Sequence, residues 1–105
     1  MLVFLVARRD GAPVGCGALR RLDDTTAEVK RMYVVPAERG SGAAAEILRA
    51  LTGEARAAGI ARPVLETGTA QHEAIAFYAR EGFAPCDCWG AYAESGISLC
   101  YERAV

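Results

Sequence analysis

The sequence predicts an α+β fold with a mainly antiparallel sheet, a central pair of parallel strands and two helices. Short polar turns separate the first three apolar segments, which makes neighbouring strands antiparallel. Two later segments change to a helical period of apolar residues. The strand between them is reached through a helix, and this connection leaves it parallel to the strand before that helix.

The first two strands, Leu2–Ala7 and Val14–Arg21, form a predicted hairpin because Asp10-Gly11 between them is a strong tight-turn dipeptide. The third strand, "AEVKRMYVV", follows a short turn and is predicted antiparallel to the second. Its alternation places Val29, Arg31, Tyr33 and Val35 on one face and Glu28, Lys30, Met32 and Val34 on the other.

A helix is predicted from Gly42 on, ending at Gly59 as a left-handed cap. Its apolar stripe consists of Ala44, Ile47, Leu48, Leu51, Ala55 and Ala58. "ARPVLETG" is the parallel strand. Thr69 is the expected N-cap of the second helix, "AQHEAIAFYARE", and Gly82 its end. "GFAPCDCW" and "GISLCYERAV" are predicted to close the sheet, although Pro85 argues against a strand in the first of them.

Composition excludes several classes of protein. The chain has 105 residues, 52% of them apolar, which suits one domain over residues 1–105. Its net charge is −1 and its basic residues are scattered, so no nucleic-acid partner is expected. The apolar run "LVFLVA" is too short for a bilayer and lacks the flanks of a signal peptide. We therefore expect a cytoplasmic protein without membrane contact.

The cysteines are Cys16, Cys86, Cys88 and Cys100. Because nothing else in the sequence is typical of secretion, we expect four reduced thiols. "CDC" and the single histidine, His72, lack the spacing of a structural zinc pair, so no metal site is expected.

The segment "RGSGAA" at the start of the first helix is the strongest functional signal. A helix N-terminus presents unpaired N–H groups and a partial positive charge, and glycines let a phosphate approach them. Gly40 and Gly42 supply the glycines, Ser41 a hydroxyl donor and Arg39 a positive charge. An ordinary strand-to-helix turn is the alternative interpretation.

Two other kinds of phosphate-binding loop are alternative interpretations of this segment. A P-loop needs a lysine inside the loop, but the only lysine, Lys30, precedes it, so this interpretation fails. "GSGAAA" does satisfy the dinucleotide fingerprint, and Glu66 could act as its ribose-binding acid. That fingerprint normally follows the first strand of a parallel array, whereas antiparallel strands precede this loop. Dinucleotide binding therefore stays a minor alternative.

Two motifs resemble one known family. "VVPAERGSGAA" is similar to the acyl-CoA pyrophosphate loop of the GNAT superfamily of N-acetyltransferases, with Arg39, Gly42 and Ala44 in its pattern. "LETGTAQHEAIAFYAREGF" resembles the strand and helix that follow in that superfamily, and the two motifs are in register over residues 28–83. The resemblance implies metal-free transfer of an acetyl group from acetyl-CoA to a primary amine of a small molecule or peptide, by direct attack.

The resemblance also implies a cofactor site in the cleft between the splayed parallel strands. Residues implied to bind acetyl-CoA are Met32, Tyr33, Val34, Val35, Arg39, Gly40, Ser41, Gly42, Ala43, Ala44, Gln71 and Tyr78. The pantetheine would follow the strand, and the pyrophosphate would lie on the loop. Gln71 stands where the family often has an asparagine.

The same resemblance implies that Tyr78 is a general acid and Glu28 a general base. A core aromatic side chain and an ion-paired strand carboxylate are the respective alternatives. Glu66 either caps a turn or contacts the acceptor. Trp89 and Tyr92 are candidates for lining the acceptor end of the cleft.

One difference from the family concerns the start of the chain. Domains of this superfamily usually begin with a strand and two helices that wall off the acceptor site, whereas this sequence starts almost directly inside the second strand. A non-catalytic acyl-CoA-binding or assembly module is therefore the alternative function. An uncovered strand edge and the apolar "LVFLV" also predict a homodimer.

Overall fold

Six strands form one mixed sheet with two helices. The structure is a computed structural model that describes residues 2–105. Its elements are β1 (Val3–Arg9), β2 (Ala12–Arg21), β3 (Thr26–Val34), α1 (Ala43–Ala57), β4 (Arg62–Gly68), α2 (His72–Arg80), β5 (Ala84–Cys86) and β6 (Ser98–Glu102). The strand order is β1-β2-β3-β4-β6-β5, and among the hydrogen-bonded neighbours within residues 2–105 only β3 and β4 are parallel. The predicted fold class is confirmed.

The β1–β2 hairpin closes through a two-residue turn. Asp10 and Gly11 have φ angles of 53° and 84°, so both adopt the left-handed conformation that matches the twist of the flanking strands. Pairing continues up to Arg9 and Ala12. Both strands therefore extend closer to the turn than predicted.

Strand β3 contains a bulge that changes which side chains share a face. Lys30 pairs with Ala18 and Tyr33 pairs with Cys16, so β3 has one extra residue in this interval, and Arg31 has a φ of 57°. The predicted alternation is wrong beyond Lys30. Met32 and Val34 lie on the face of Val29, and Tyr33 lies on the face of Lys30. Residues 32–35 are all apolar, so either face assignment fits them and the sequence did not reveal the shift.

The parallel pair is short and then opens. Residues Thr26–Glu28 of β3 pair with Arg62–Val64 of β4, and within the described chain the two strands have no paired residues beyond that point. Strand β4 continues its pairing with β6 on its other side. The expected splay between the central strands is therefore present, and it leaves one edge of β3 free.

Helix α1 packs closely against β2. A Cβ atom on Gly17 would lie 2.8 Å from Ile47 Cγ2 and 2.8 Å from Met32 Sδ, so this glycine permits the approach. The buried residues of α1 are Ala43, Ile47, Leu48, Leu51, Thr52 and Ala55. Of the predicted stripe, Ala44 is half-buried and Ala58 is exposed. The predicted end is confirmed, because Gly59 has a φ of 79° and the next residue, Ile60, donates its N–H to Ala55 O.

Helix α2 lies on the same face of the sheet as α1, since both belong to right-handed crossovers that step in one direction across the sheet. Arg49 and Glu81 join the two helices through two hydrogen bonds of 2.9 and 3.1 Å. Thr69 does not cap α2 as predicted, because Gln71 holds the N-cap position and the Thr69 N–H donates to Ile97 O. Gly82, with a φ of 89°, ends the helix as expected.

The closing strands correct one prediction. Cys88 and Cys100 form a disulfide, so the expectation of four reduced thiols is wrong for this pair, whereas Cys16 and Cys86 are free. The chain doubles back after β5, which brings the two Cα atoms to 5.2 Å across 12 positions of sequence. That proximity depends on strand pairing and is invisible in the sequence. The segment that contains Pro85 does form a strand, and β5 lies at the edge of the sheet, where the missing N–H of proline is tolerated.

Among residues 2–105, neither helix has the length and apolar character needed to cross a membrane. The cytoplasmic location stays a prediction.

We predict opposite effects for two glycine substitutions. Gly17→Val forces a side chain into the β2–α1 contact and should lower the free energy of unfolding by roughly 2–3 kcal/mol. Gly53→Ala, at an exposed position inside α1, should raise it by roughly 0.5–1 kcal/mol. Urea denaturation followed by circular dichroism measures both changes. Equal stability of Gly17→Val and the unsubstituted chain would contradict the close packing.

Candidate functional site

Two neighbouring cavities lie where β3 and β4 part. The larger, of about 580 Å³, lies on the helix side of the sheet between β3, the start of α1, and α2. The smaller, of about 240 Å³, is lined by residues of the opposite face, including Glu28, Lys30 and Glu66. Met32 and Tyr78 line both cavities. The opening of the sheet therefore brings two separate surfaces to one point.

The loop before α1 is shaped to receive an anion. Gly40 and Gly42 have φ angles of 85° and 92°, which favour glycine, and a Cβ atom on either would meet nothing within 4 Å. Backbone conformation, rather than lack of space, therefore accounts for both glycines. In the part of the chain that the structure describes, the N–H groups of Gly42, Ala44 and Ala45 have no hydrogen-bond acceptor. They are available to a ligand at the positive end of α1.

A positive charge is held next to this loop. The Arg39 guanidinium donates from Nε to Val34 O at 3.2 Å and lies 5.9 Å from the centroid of the Tyr33 ring. Arg9 and Glu38 form an ion pair of 2.6 Å that joins the turn preceding the loop to the β1–β2 hairpin. The loop is therefore ordered by its own contacts before any ligand binds.

The structure separates the predicted cofactor residues into two groups. Those that line the larger cavity are Met32, Tyr33, Val34, Arg39, Gly40, Gly42, Ala44 and Tyr78. Val35, Ser41 and Ala43 do not line this cavity. Val35 donates its N–H to Val14 O, Ser41 donates its hydroxyl to Glu38 O, and Ala43 is buried at the start of α1. Gln71 is exposed at the start of α2 and does not line either cavity.

Sequence analysis predicted Tyr78 of α2 but missed the other residues of this helix that line the larger cavity. The additional lining residues are Glu38, Ala45, Glu73, Ala74, Phe77, Arg80 and Glu81. Those on α2 recur at helical spacing around Tyr78, so the helix period identifies them once Tyr78 is placed in the site. Predicting this requires knowing that α2 lies beside α1, which the sequence did not show.

Tyr78 is the residue at which the two cavities meet. Its ring packs edge-on against Phe83, with centroids 6.1 Å apart, and lies 5.2 Å from the ring of Phe77. Burial and, to a lesser degree, the charge of Glu66 raise the pKa of Tyr78 above its usual value. The hydroxyl therefore stays protonated at neutral pH and can donate a proton.

The smaller cavity contains two carboxylates. Glu28 is only 3% exposed, and its Oε1 lies 3.9 Å from Lys30 Nζ. Glu66 is half-buried and accepts a hydrogen bond of 2.8 Å from the Ser98 hydroxyl. Burial and the nearby charge of Glu28 raise the pKa of Tyr92, which also lines this cavity. Glu28 therefore lies in the second cavity and not in the loop cleft.

The disulfide tethers one wall of the smaller cavity. Tyr92 belongs to the segment between Cys88 and Cys100, and its ring packs edge-on against Trp89 at 5.5 Å. Of the two aromatic residues predicted at the acceptor end, Tyr92 lines the cavity and Trp89 supports it. Within the described residues, no three His, Cys, Asp or Glu side chains are grouped closely enough to hold a metal ion.

Comparison with protein families gives one match, to the acetyltransferase (GNAT) family, over residues 2–83. The chain belongs to the acetyltransferase (GNAT) family. The resemblance seen in the sequence is confirmed. The match includes the loop, both parallel strands and α2, which are the elements that form the larger cavity.

Known acetyltransferases share the fold of most of this chain. A protein of Azospirillum brasilense named IAA acetyltransferase is 44% identical over 103 residues, which are 97% of this chain and 67% of that protein. A crystal structure described as an acyl-CoA N-acyltransferase of Klebsiella pneumoniae has a TM-score of 0.90 at 34% identity, covering 96% of this chain and 70% of the other. The chain spans only 51% to 67% of the length of the curated relatives it matches.

A third comparison concerns a GNAT family acetyltransferase of Elizabethkingia anophelis, whose crystal structure contains acetyl-CoA. Its TM-score is 0.85 at 19% identity, and the match covers 97% of this chain and 75% of that one. This acetyltransferase and the present chain therefore share a fold.

We predict that the glycine at the start of α1 matters for coenzyme A binding. Gly42→Ala forces a side chain into a left-handed backbone conformation beside the free N–H groups, and should weaken coenzyme A binding roughly tenfold or more. Calorimetric titration measures the affinity.

Gly59→Ala is the matched control, because Gly59 has a similar φ and equally open surroundings at the other end of the same helix. Both variants should lose about 1 kcal/mol of stability, but only Gly42→Ala should lose affinity. Equal affinity of the two variants would exclude the loop as the anion site.

Proposed function

We propose that this chain is an N-acetyltransferase that moves an acetyl group from acetyl-CoA to a primary amine by direct attack. The observation that supports it best is the pair of cavities that meet at Tyr78, one bordered by an anion-binding loop and the other by two carboxylates. A phosphate-bearing donor and a cationic acceptor would approach each other from opposite faces of the sheet.

Acetyl-CoA would bind along the open edge of β3. Its pyrophosphate accepts hydrogen bonds from the free N–H groups at the start of α1, with Arg39 beside them. The pantetheine follows Met32 to Val34, because the splay leaves this edge of β3 without a partner strand. A backbone N–H of the same edge donates to the thioester carbonyl and polarises it.

An acceptor that binds as an ammonium ion first loses one proton to Glu28, which passes it through water to solvent and is again a carboxylate. The free amine nitrogen then attacks the carbonyl carbon, a C–N bond forms, and the C–S bond breaks. Glu28 takes the remaining proton of the attacking nitrogen, directly or through a water molecule, and Tyr78 gives its proton to the departing thiolate. The raised pKa of Tyr78 keeps this acid protonated throughout the neutral range.

A non-catalytic acyl-CoA-binding module is the alternative. It needs the loop cleft but has no use for the second cavity, in which a buried carboxylate lies near the shared tyrosine. Release of free thiol from acetyl-CoA in the presence of a panel of amines separates the two functions. IAA, the compound in the name of the Azospirillum relative, is assayed beside that panel as a separate acceptor.

We predict that Tyr78→Phe reduces kcat by roughly 10²–10⁴-fold, because the ring is kept and only the proton donor is lost. Affinity for coenzyme A should change little. With Tyr78 present, kcat should not fall through loss of this proton anywhere in the neutral to mildly alkaline range, since burial raises the pKa of Tyr78 above its usual value. Unchanged kcat in the variant would return Tyr78 to a packing role.

The Glu28→Gln variant tests the proposed proton acceptor separately from the proposed proton donor, Tyr78. The variant cannot accept the proton of the amine, so it should be slow at neutral pH and recover as the pH rises and free amine accumulates. Tyr78→Phe should show no such recovery. A Glu28→Gln defect that is independent of pH would argue against the base.

We also propose that the chain forms a homodimer through the edge strand β1. Phe4 and Val6 of this strand are 49% and 45% exposed, and Tyr33 on the same sheet face is 51% exposed. Val6, Cys16 and Tyr33 are aligned across three strands, which makes a continuous apolar row opposite the helices. A two-fold axis beside β1 would pair the free edge and cover this row.

Sedimentation at micromolar concentrations tests the dimer. Val6→Lys places a charge in the middle of the apolar row and should give monomers. Ile97→Lys is the matched control, because Ile97 is 69% exposed but lies far along the chain, just before β6, and this variant should stay dimeric. A monomeric unsubstituted chain would refute the proposal.

A further inference from the structure

The smaller cavity carries charges of both signs in an ordered arrangement. Its inner part holds Glu28, which is buried, and Glu66, which is half-buried. Lys30 is half-buried beside Glu28, and Arg31 is exposed at the bulge. The cavity therefore has a negative interior and a positive rim.

We propose that the acceptor is a free α-amino acid, whose ammonium group binds Glu28 and whose carboxylate binds Lys30. The proposal rests on the acetyltransferase function argued above and names the class of its acceptor.

The distance between Glu28 and Lys30 supports this class. Their charged atoms are 3.9 Å apart, well beyond the roughly 2.7–2.9 Å of a charge-assisted hydrogen bond. Each group therefore retains the capacity to bind a further opposite charge. In an α-amino acid a single carbon separates the ammonium nitrogen from the carboxylate. The ammonium and carboxylate groups of the amino acid thus match the spacing of Glu28 and Lys30. With the ammonium group on Glu28 and the carboxylate on Lys30, each charge lies beside one of opposite sign.

Other amines fit these charges less well. A simple alkylamine satisfies Glu28 but presents nothing to Lys30 and Arg31 at the rim. A diamine directs a second cation towards that positive rim, and like charges at close range are unfavourable. The N-terminus of a peptide carries an uncharged amide where the amino acid has its carboxylate. Only a compound with both charges on adjacent positions complements the interior and the rim together.

The position of Glu28 also agrees with chemistry on the α-amino group. Binding of the ammonium group at Glu28 places the reacting nitrogen on the carboxylate that removes its proton. Tyr78 and Met32, which line both cavities, lie between this nitrogen and the cleft of the thioester. Lys30 is thus a specificity-determining residue, since it binds the end of the acceptor that does not react.

The test compares each common L-amino acid with its own primary amide, in which an uncharged carboxamide replaces the carboxylate. Initial rates of thiol release from acetyl-CoA give kcat/KM for both members of each pair. For the best amino acid, we expect kcat/KM to exceed that of its amide by roughly tenfold to a hundredfold, the range of one hydrogen bond to a charged group. Lys30→Met should abolish most of this preference, and Lys30→Arg should restore part of it.

Arg56→Met is the matched control, because it removes one positive charge from an exposed position of α1 and should keep the preference. Calorimetric binding of coenzyme A to each variant verifies that the fold is intact, and Lys30→Gln replaces Lys30→Met if that variant fails to fold.

Two results would overturn the inference: an amide that reacts as well as its amino acid, or a preference that survives the loss of Lys30. If the amides or simple amines react and the amino acids do not, the inference fails and the acetyltransferase function stands. If coenzyme A binds but no amine releases thiol, both fail.

Discussion

The end of pairing between β3 and β4 after Glu28 and Val64 is the constraint on which the site depends. If β3 and β4 stayed paired along their whole length, the sheet would have no opening. Their backbone N–H and C=O groups would hydrogen-bond to each other and would not be available to a ligand. The bulge at Arg31 lies just beyond the last pair and re-aims the rest of β3. One edge of this central strand is consequently free, which is rare inside a sheet and gives an extended ligand a row of backbone partners.

The two helices place functional groups around this opening. Right-handed crossovers put α1 and α2 side by side on one face, and the Arg49–Glu81 pair joins them there. The N-terminus of α1 supplies unpaired N–H groups, and α2 supplies Tyr78 at the point where the strands part. Because the opposite face carries Glu28, this carboxylate and the side chain of Tyr78 border the opening from two sides of the sheet.

The charged side chains of the smaller cavity need neighbouring groups that stabilise them and hold them in place. A buried carboxylate is costly unless other groups stabilise it, and Glu28 has Lys30 at 3.9 Å and Tyr92 nearby. The Cys88–Cys100 disulfide limits the movement of the segment that carries Tyr92. The curated relatives match this chain over only part of their own length.

Local physical rules made most of the fold predictable from the sequence alone. Two positive φ angles suit Asp10-Gly11, an apolar helical stripe and Gly59 define α1, and a helix between two strands requires that they be parallel. The loop glycines were found through the same local patterns, whereas Tyr78 was assigned to the site only through the family resemblance. The bulge at Arg31, the Cys88–Cys100 pairing and the meeting of Glu28 with Lys30 and Tyr92 were decided only by tertiary structure. Each depends on strand register or on residues distant in sequence, and no local periodicity or dipeptide preference encodes such contacts.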